Sequence, residues 1–254
     1  MDRLAFNAVA AINEQRISRQ MTTNDLANVS TVGFKRSYEA ATRAIKVEGD
    51  GLHSRYQPQS VATDHIDLSP GAIMATGRKL DVAINGQGVM GVTTSTGELA
   101  FTRRGDLQLS AGGVLQTATG VALRGESGGP ITVPPGFEVS INGDGSVYAQ
   151  DPAQAGNAPA ALIDRILLRE ASQVKLERRV DGFFKVQGQP DGTDIAATGE
   201  IASLTPRALE GSNVNAISVM VKMMEQSRSF EHQVRIIKES KSGDESGATM
   251  LKLS

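Results

Sequence analysis

The sequence predicts an α+β fold: an antiparallel β-rich middle domain inserted between N- and C-terminal helices that pack together as a coiled-coil-like helical domain. Three observations predict it. Asp2 to Val29 contains no Gly or Pro, and apolar residues recur there at helical spacing. Apolar residues also follow a heptad near the C-terminus. Between these ends, 21 of the 27 glycines fall within residues 71–199, among short apolar runs closed by turn residues.

The N-terminal helix has a thin apolar face, Val9/Ile12, Ile17/Met21 and Leu26/Val29, interrupted by Arg16, Arg19 and Gln20. Thr31-Val32-Gly33 ends it, with Gly33 placed to close a helix. Residues 37–75 mix charge, glycine and polar side chains and read as an extended connector with little core of its own. The β-rich outer domain spans 76–207. Its runs are Leu80–Ile84 before Asn85-Gly86, Leu99–Thr102 before Arg104-Gly105-Asp106, Leu107–Leu109 before Gly112-Gly113, and Val139–Ile141 before Asn142-Gly143. Asn-Gly and Asp-Gly between apolar runs are strong local hairpin signals. Residues 151–160 read as a loop, and strands resume at Leu162–Leu168.

Setting Ala216 at heptad position d puts Met220, Met223, Ser227, Phe230, Val234 and Ile237 on alternating a and d positions, widened by Ile217 and Met224. Ser212 or Asn213 is placed to cap this helix, and Lys238 and Lys241 suit its C-terminal dipole. Residues 1–36 and 208–254 therefore form a terminal helical assembly domain. Neither helix buries its stripe alone, so both are expected to fray in a free chain. Met220, Met223, Phe230, Val234 and Ile237 would contribute on the order of 10 kcal/mol gross if fully buried, before ordering entropy is subtracted.

The 254-residue chain has 26 Lys+Arg against 28 Asp+Glu, a net charge of −2, which gives no basic excess for nucleic-acid binding. It has no Cys, which excludes disulfides, thiolate nucleophiles and Cys-based metal sites. Leu107–Leu123, the longest uncharged stretch, is interrupted by Gly, Ser, Thr and Gln and is no membrane span. Leu4–Ala8 is too short for the apolar region of a signal peptide.

Gly86-Gln87-Gly88-Val89-Met90-Gly91 fits G-x-G-x-x-G, but a dinucleotide site needs a helix to begin inside the motif. The β-branched run Val92-Thr93-Thr94 follows instead, so the motif reads as a glycine-rich turn between strands. His53, His65 and His232 lack metal-ligand spacing, and Met220, Met223 and Met224 read as adaptable packing. No catalytic constellation, cofactor site or small-molecule substrate site follows. An enzyme using the Gly86–Gly91 turn, and an adhesin-like protein using Arg104-Gly105-Asp106, are the alternatives of other classes.

Asn24-Asp25-Leu26-Ala27-Asn28-Val29-Ser30-Thr31-Val32-Gly33-Phe34-Lys35-Arg36 resembles the N-terminal signature of the flagellar axial family of rod and hook proteins. Leu209-Glu210-Gly211-Ser212-Asn213, followed by Met223-Met224, Gln226 and Arg228-Ser229-Phe230-Glu231, resembles its C-terminal signature. Thr76-Gly77-Arg78-Lys79-Leu80-Asp81 through Gly86 and Gly88, with Thr102-Arg103-Arg104-Gly105-Asp106, resembles its β-domain motifs. Val89-Met90 stand where the family usually has aromatics, and Asp25 where it has Asn. The Met1–Leu4 opening and the run from Arg228 are most like the proximal-rod branch, with the distal-rod branch next.

The resemblance implies a structural subunit, not an enzyme, with its terminal helices in an inner tube and its β domain outside. It implies assembly in the periplasm after export without a cleaved signal. Its partners would be its own copies, other rod subunits including the distal rod, and the flagellar export apparatus. The expected assembly residues are Asn24, Leu26, Asn28, Phe34, Asn213, Met220, Met223, Phe230, Val234 and Ile237. The expected β-domain motif residues are Leu80, Asp81, Gly86, Gly88, Arg104 and Gly105.

Overall fold

The computed structural model describes residues 2–38, 42–49, 52–60, 65–154, 159–196 and 202–252. It is α+β, with a β-rich middle between two long helices. The chain divides into a helical unit, Met1–Ala27 with Glu39–Thr63 and Asn215–Ser254, and a β unit, Asn28–Tyr38 with Asp64–Val214.

In the helical unit, α1 spans Asp2–Ala27 and α2 spans Ala216–Lys252. The N-cap of α2 is Asn215, whose Oδ1 accepts the Ser218 N–H at 3.1 Å. Ser212 and Asn213, the caps expected from sequence, lie outside the helix. Ser212 Oγ instead accepts the Val214 N–H. The helix also outruns Lys241, continuing through Gly243 and Gly247. There the Ser246 and Thr249 hydroxyls donate to carbonyls four residues back, and Lys241 faces Glu245 one turn on. A β-hairpin, Thr42–Gly49 with Leu52–Ser60, occupies part of the span read as an extended connector, and its second strand lies beside α1. Residues 39–41, 50–51 and 61–64 of that span, with the His53 side chain, lie outside what is described, as do residues 155–158 of the expected loop.

The β unit is built around the strand Gly88–Thr93. It pairs antiparallel with Leu99–Thr102, Ala122–Leu123 and Leu168–Glu170 inside an eight-stranded sheet. A second, three-stranded sheet runs Glu138–Ile141, Ser146–Gln150, Ala161–Arg165. Alternation along Gly88–Thr93 separates two cores. Met90 packs with Val82, Ile84, Leu107, Leu115 and Val147, whereas its neighbour Val89 packs with Ile66, Phe101, Leu176 and Phe184. The glycine-rich run is therefore mostly a buried central strand, with the turn confined to its start. No helix begins within it. Gly91 is required because a Cβ there would lie 2.7 Å from Leu167 Cδ2.

Gly105 is tighter still. Its carbonyl accepts the Val82 N–H at 3.0 Å, and a Cβ would lie 1.7 Å from the Val82 carbonyl oxygen. Gly105→Ala must push two backbones apart and should cost at least ~3 kcal/mol. A urea titration showing less than ~1 kcal/mol would contradict this.

Candidate functional site

Two features stand out, one in each unit. The first is a buried ion cluster in the β unit. Lys35, Arg103 and Glu210 have side-chain exposures of 0%, 0% and 1%. Glu210 Oε1 accepts from Lys35 Nζ at 2.7 Å and from the Gly71 N–H at 2.9 Å, and Oε2 accepts from Arg103 Nε at 2.8 Å. Lys35 Nζ also donates to the Ser69 carbonyl at 2.7 Å. Arg103 also donates from its two terminal nitrogens to the carbonyls of Ile84, Gly86 and Gly88, at 2.7 to 2.9 Å. The Lys35 carbonyl accepts from Arg178, whose guanidinium lies over the Phe34 ring at 4.8 Å. Burial, then the neighbouring Arg103 charge, holds the Lys35 ammonium below its ordinary pKa, while Glu210 pulls it up. One carboxylate thus faces two sealed cations.

The cluster takes one charged residue from each stretch that carries the family resemblance. Lys35 comes from the first, Arg103 from the β-domain motif and Glu210 from the last. None was singled out from sequence, because isolated charges so far apart in the chain show no periodicity. The one signal in the sequence is that each stands inside a stretch that carries the family resemblance.

The second feature is on α2. Gln15 bonds Ser229, and Gln226 Nε2 donates to Ser18 Oγ at 2.9 Å and Thr22 Oγ1 at 3.1 Å. These pairs descend on one helix as they rise on the other, so α1 and α2 run antiparallel. These polar bonds hold part of their seam, and α2 keeps a separate apolar stripe exposed. Ile217 is 75%, Met220 52%, Val221 43% and Met224 57% exposed. Their i, i+3, i+4, i+7 spacing places them on one face.

The expected assembly residues therefore divide. Met220 is on the exposed stripe. Met223, Val234 and Ile237 are half-buried, Phe230 is 41% exposed, Leu26 is half-buried and Asn24 is exposed. Asn28, Phe34 and Asn213 belong to the β unit. Asn28 Oδ1 accepts the Thr31 hydroxyl in a turn, Phe34 is buried under Arg178, and Asn213 bonds Arg36 N–H and the Asp67 carbonyl. Among the β-domain motif residues, Leu80 packs beside the core. The buried Asp81 carboxylate accepts from Thr76 Oγ1 at 2.6 Å and faces Arg78. Gly86 turns at φ +59°, and Gly86 and Gly88 offer their carbonyls to Arg103. Arg104 and Asp106 bond each other at 2.7 and 2.8 Å, so this Arg-Gly-Asp triplet is closed on itself.

Surface carboxylates of the β unit add a pH dependence. Asp144 is held below its ordinary pKa by the Ser146 hydroxyl and N–H, and Asp191 by Lys185. Depressed carboxyl pKa values contribute stability that is present above the unfolded value, near 4, and lost as pH falls through the folded one. Stability of the β unit should decline below about pH 4, and Asp144→Asn with Asp191→Asn should flatten that decline in urea titrations. An unchanged slope would contradict it.

Family models match the middle and the C-terminal end of the chain. Residues 83–149 match the model of the flagellar hook protein FlgE/F/G D1 domain, and residues 205–250 that of the flagellar basal body rod FlgEFG protein C-terminal region. The chain is 34% identical over 239 residues to the flagellar basal-body rod protein FlgF of Escherichia coli strain K12, covering 93% of each. It is 33% identical to its Salmonella typhimurium counterpart, with 93% of each chain covered. It is 28% identical over 257 residues to the rod protein FlgG of Bacillus subtilis, covering 93% of this chain and 94% of that one. The chain thus belongs to the flagellar basal-body rod protein family and is a structural subunit of that rod.

Proposed function

We propose that the chain is a proximal-rod subunit that polymerises through its terminal helices into part of the drive shaft, continuing the export channel and transmitting torque. It works without catalysis or cofactor. It sits in the periplasm, delivered by the flagellar export apparatus without cleavage of a signal, beside its own copies and other rod subunits, including the distal rod. The observation that carries this reading is the exposed stripe Ile217, Met220, Val221 and Met224. Four large apolar side chains on one helix face, left over once α1 and α2 have paired, call for cover by another surface. The half-buried Ala216, Met223 and Ile237, which share a heptad position with Phe230, support coiled-coil-like packing of the two helices. Asn24, Leu26, Met223, Phe230, Val234 and Ile237 would join the stripe in assembly, while Asn28, Phe34 and Asn213 set the roots of the helices. The opening residues and the run from Arg228 support the proximal position over the distal one.

Phe230→Asp tests this reading. The β unit should keep its thermal transition while the variant disappears from isolated basal bodies. Incorporation at the wild-type level overturns the proposal. Tagged wild-type chain should mark the inner end of the rod, and a tag at the outer end would assign the distal position instead.

A further inference from the structure

The chain passes between its two units at four points, 27/28, 38/39, 63/64 and 214/215. Within the β unit, each crossing leads in a few residues to the same knot. The first two bound the segment holding Gly33, Lys35 and Arg36. The third leads to Asp67, Ser69 and Gly71, and the fourth follows Glu210 and Asn213. These segments are tied to one another. Asn213 Oδ1 accepts the Arg36 N–H and its Nδ2 donates to the Asp67 carbonyl, each at 2.9 Å. Gly33 N–H donates to the Glu210 carbonyl at 2.8 Å, and Ser37–Tyr38 pairs with His65–Ile66. Glu210 then joins Lys35 and Gly71 to Arg103, and Arg103 reaches the carbonyls flanking the central strand. Charge-assisted bonds, sealed from water, are concentrated where the connections converge.

We propose that the Lys35–Glu210–Arg103 cluster, with Asn213, is a mechanical clasp: the anchorage through which any pull or twist on the helical unit reaches the β core. The topology alone makes the clasp. The proposed rod function enters only as the source of the load. An anchorage differs from ordinary core packing in one measurable way, because its loss weakens resistance to force applied through the connections more than it weakens thermal stability.

The test holds the full chain by its two termini in an optical trap and measures the opening rate of the β unit at constant force. Lys35→Met is the clasp variant. It leaves Glu210 and Arg103 as a neutral pair, and so should fold. The control is a core variant away from the clasp, Val147→Ala or Ile141→Val, whichever matches the Lys35→Met melting temperature. Opening under force is governed by the unfolding rate, and loss of charged hydrogen bonds at the anchorage should speed it at least ~10-fold relative to the matched control. Equal rates overturn the clasp. Should Lys35→Met fail to fold, Asn213→Ala is read in the same way. In cells, Lys35→Met should reduce swimming in viscous medium more than the control does. A faster opening in the trap with no flagellar effect would keep the clasp and remove the rod as the source of its load.

Discussion

Glu210→Ala is expected to destabilise the β unit by about 3–5 kcal/mol, enough to unfold a domain of ordinary stability at room temperature. The reason is the arithmetic of the cluster. Lys35 and Arg103 are both sealed from solvent, and Glu210 is the carboxylate that meets both. Removing it leaves two cations facing each other in a poorly polarisable site and also strands the Gly71 N–H. Removing a cation is different. Lys35→Met leaves a neutral Arg103–Glu210 pair and should cost about 1.5–3 kcal/mol, the usual range for a charged hydrogen bond. The double variant Glu210→Ala with Lys35→Met should therefore be more stable than Glu210→Ala alone, because one buried cation is easier to tolerate than two. Urea titration followed by circular dichroism reads all three. A single alanine variant within ~1 kcal/mol of wild type would mean that water reaches the cluster and the burial argument fails.

Local rules made some of the fold legible in the sequence. Asn85-Gly86 and the runs Leu99–Thr102 and Leu107–Leu109 stand where turn chemistry and alternation placed them. The gap is Gly88–Thr93. Glycines that look like turn residues are there because neighbouring chains approach too closely for a Cβ, and only tertiary structure reveals that. The hairpin 42–60 escaped for another reason. Its first strand offers only the short alternation Ile45-Lys46-Val47-Glu48, and its second is polar and broken by Pro58, so the pair carries little periodicity. The heptad through Phe230 was legible, but the choice of inner face was not. Gln226 and Gln15 hold the α1–α2 seam with hydrogen bonds, and Met220, assigned to the stripe from spacing, lies outside that seam. Polar side chains in a helix pair defeat any rule that equates apolar with inside. The ion cluster was least legible, since its three residues are joined by the fold alone.

Met220→Asp should leave the soluble chain intact and exclude it from the rod. The side chain is 52% exposed and flanked on its face by Ile217, Val221 and Met224, so in the free chain a carboxylate there stays in water. Surface changes of this kind usually move stability by no more than about 0.5 kcal/mol. In the assembly the same carboxylate would be buried against an apolar neighbour. The lost methionine burial contributes about 1.5–3 kcal/mol, and an unpaired charge adds a desolvation cost of several more. Even the lower end of that sum reduces affinity at least ~10-fold per contact, and a polymer repeats the contact at every subunit. A surface change off the stripe, His232→Asp, separates the two outcomes, because it places the same carboxylate at an exposed position of α2 about a third of a turn round the helix from Met220. If Met220→Asp enters rods as readily as His232→Asp, the stripe is not the assembly face, and the half-buried residues Met223 and Ile237 become the surface to test.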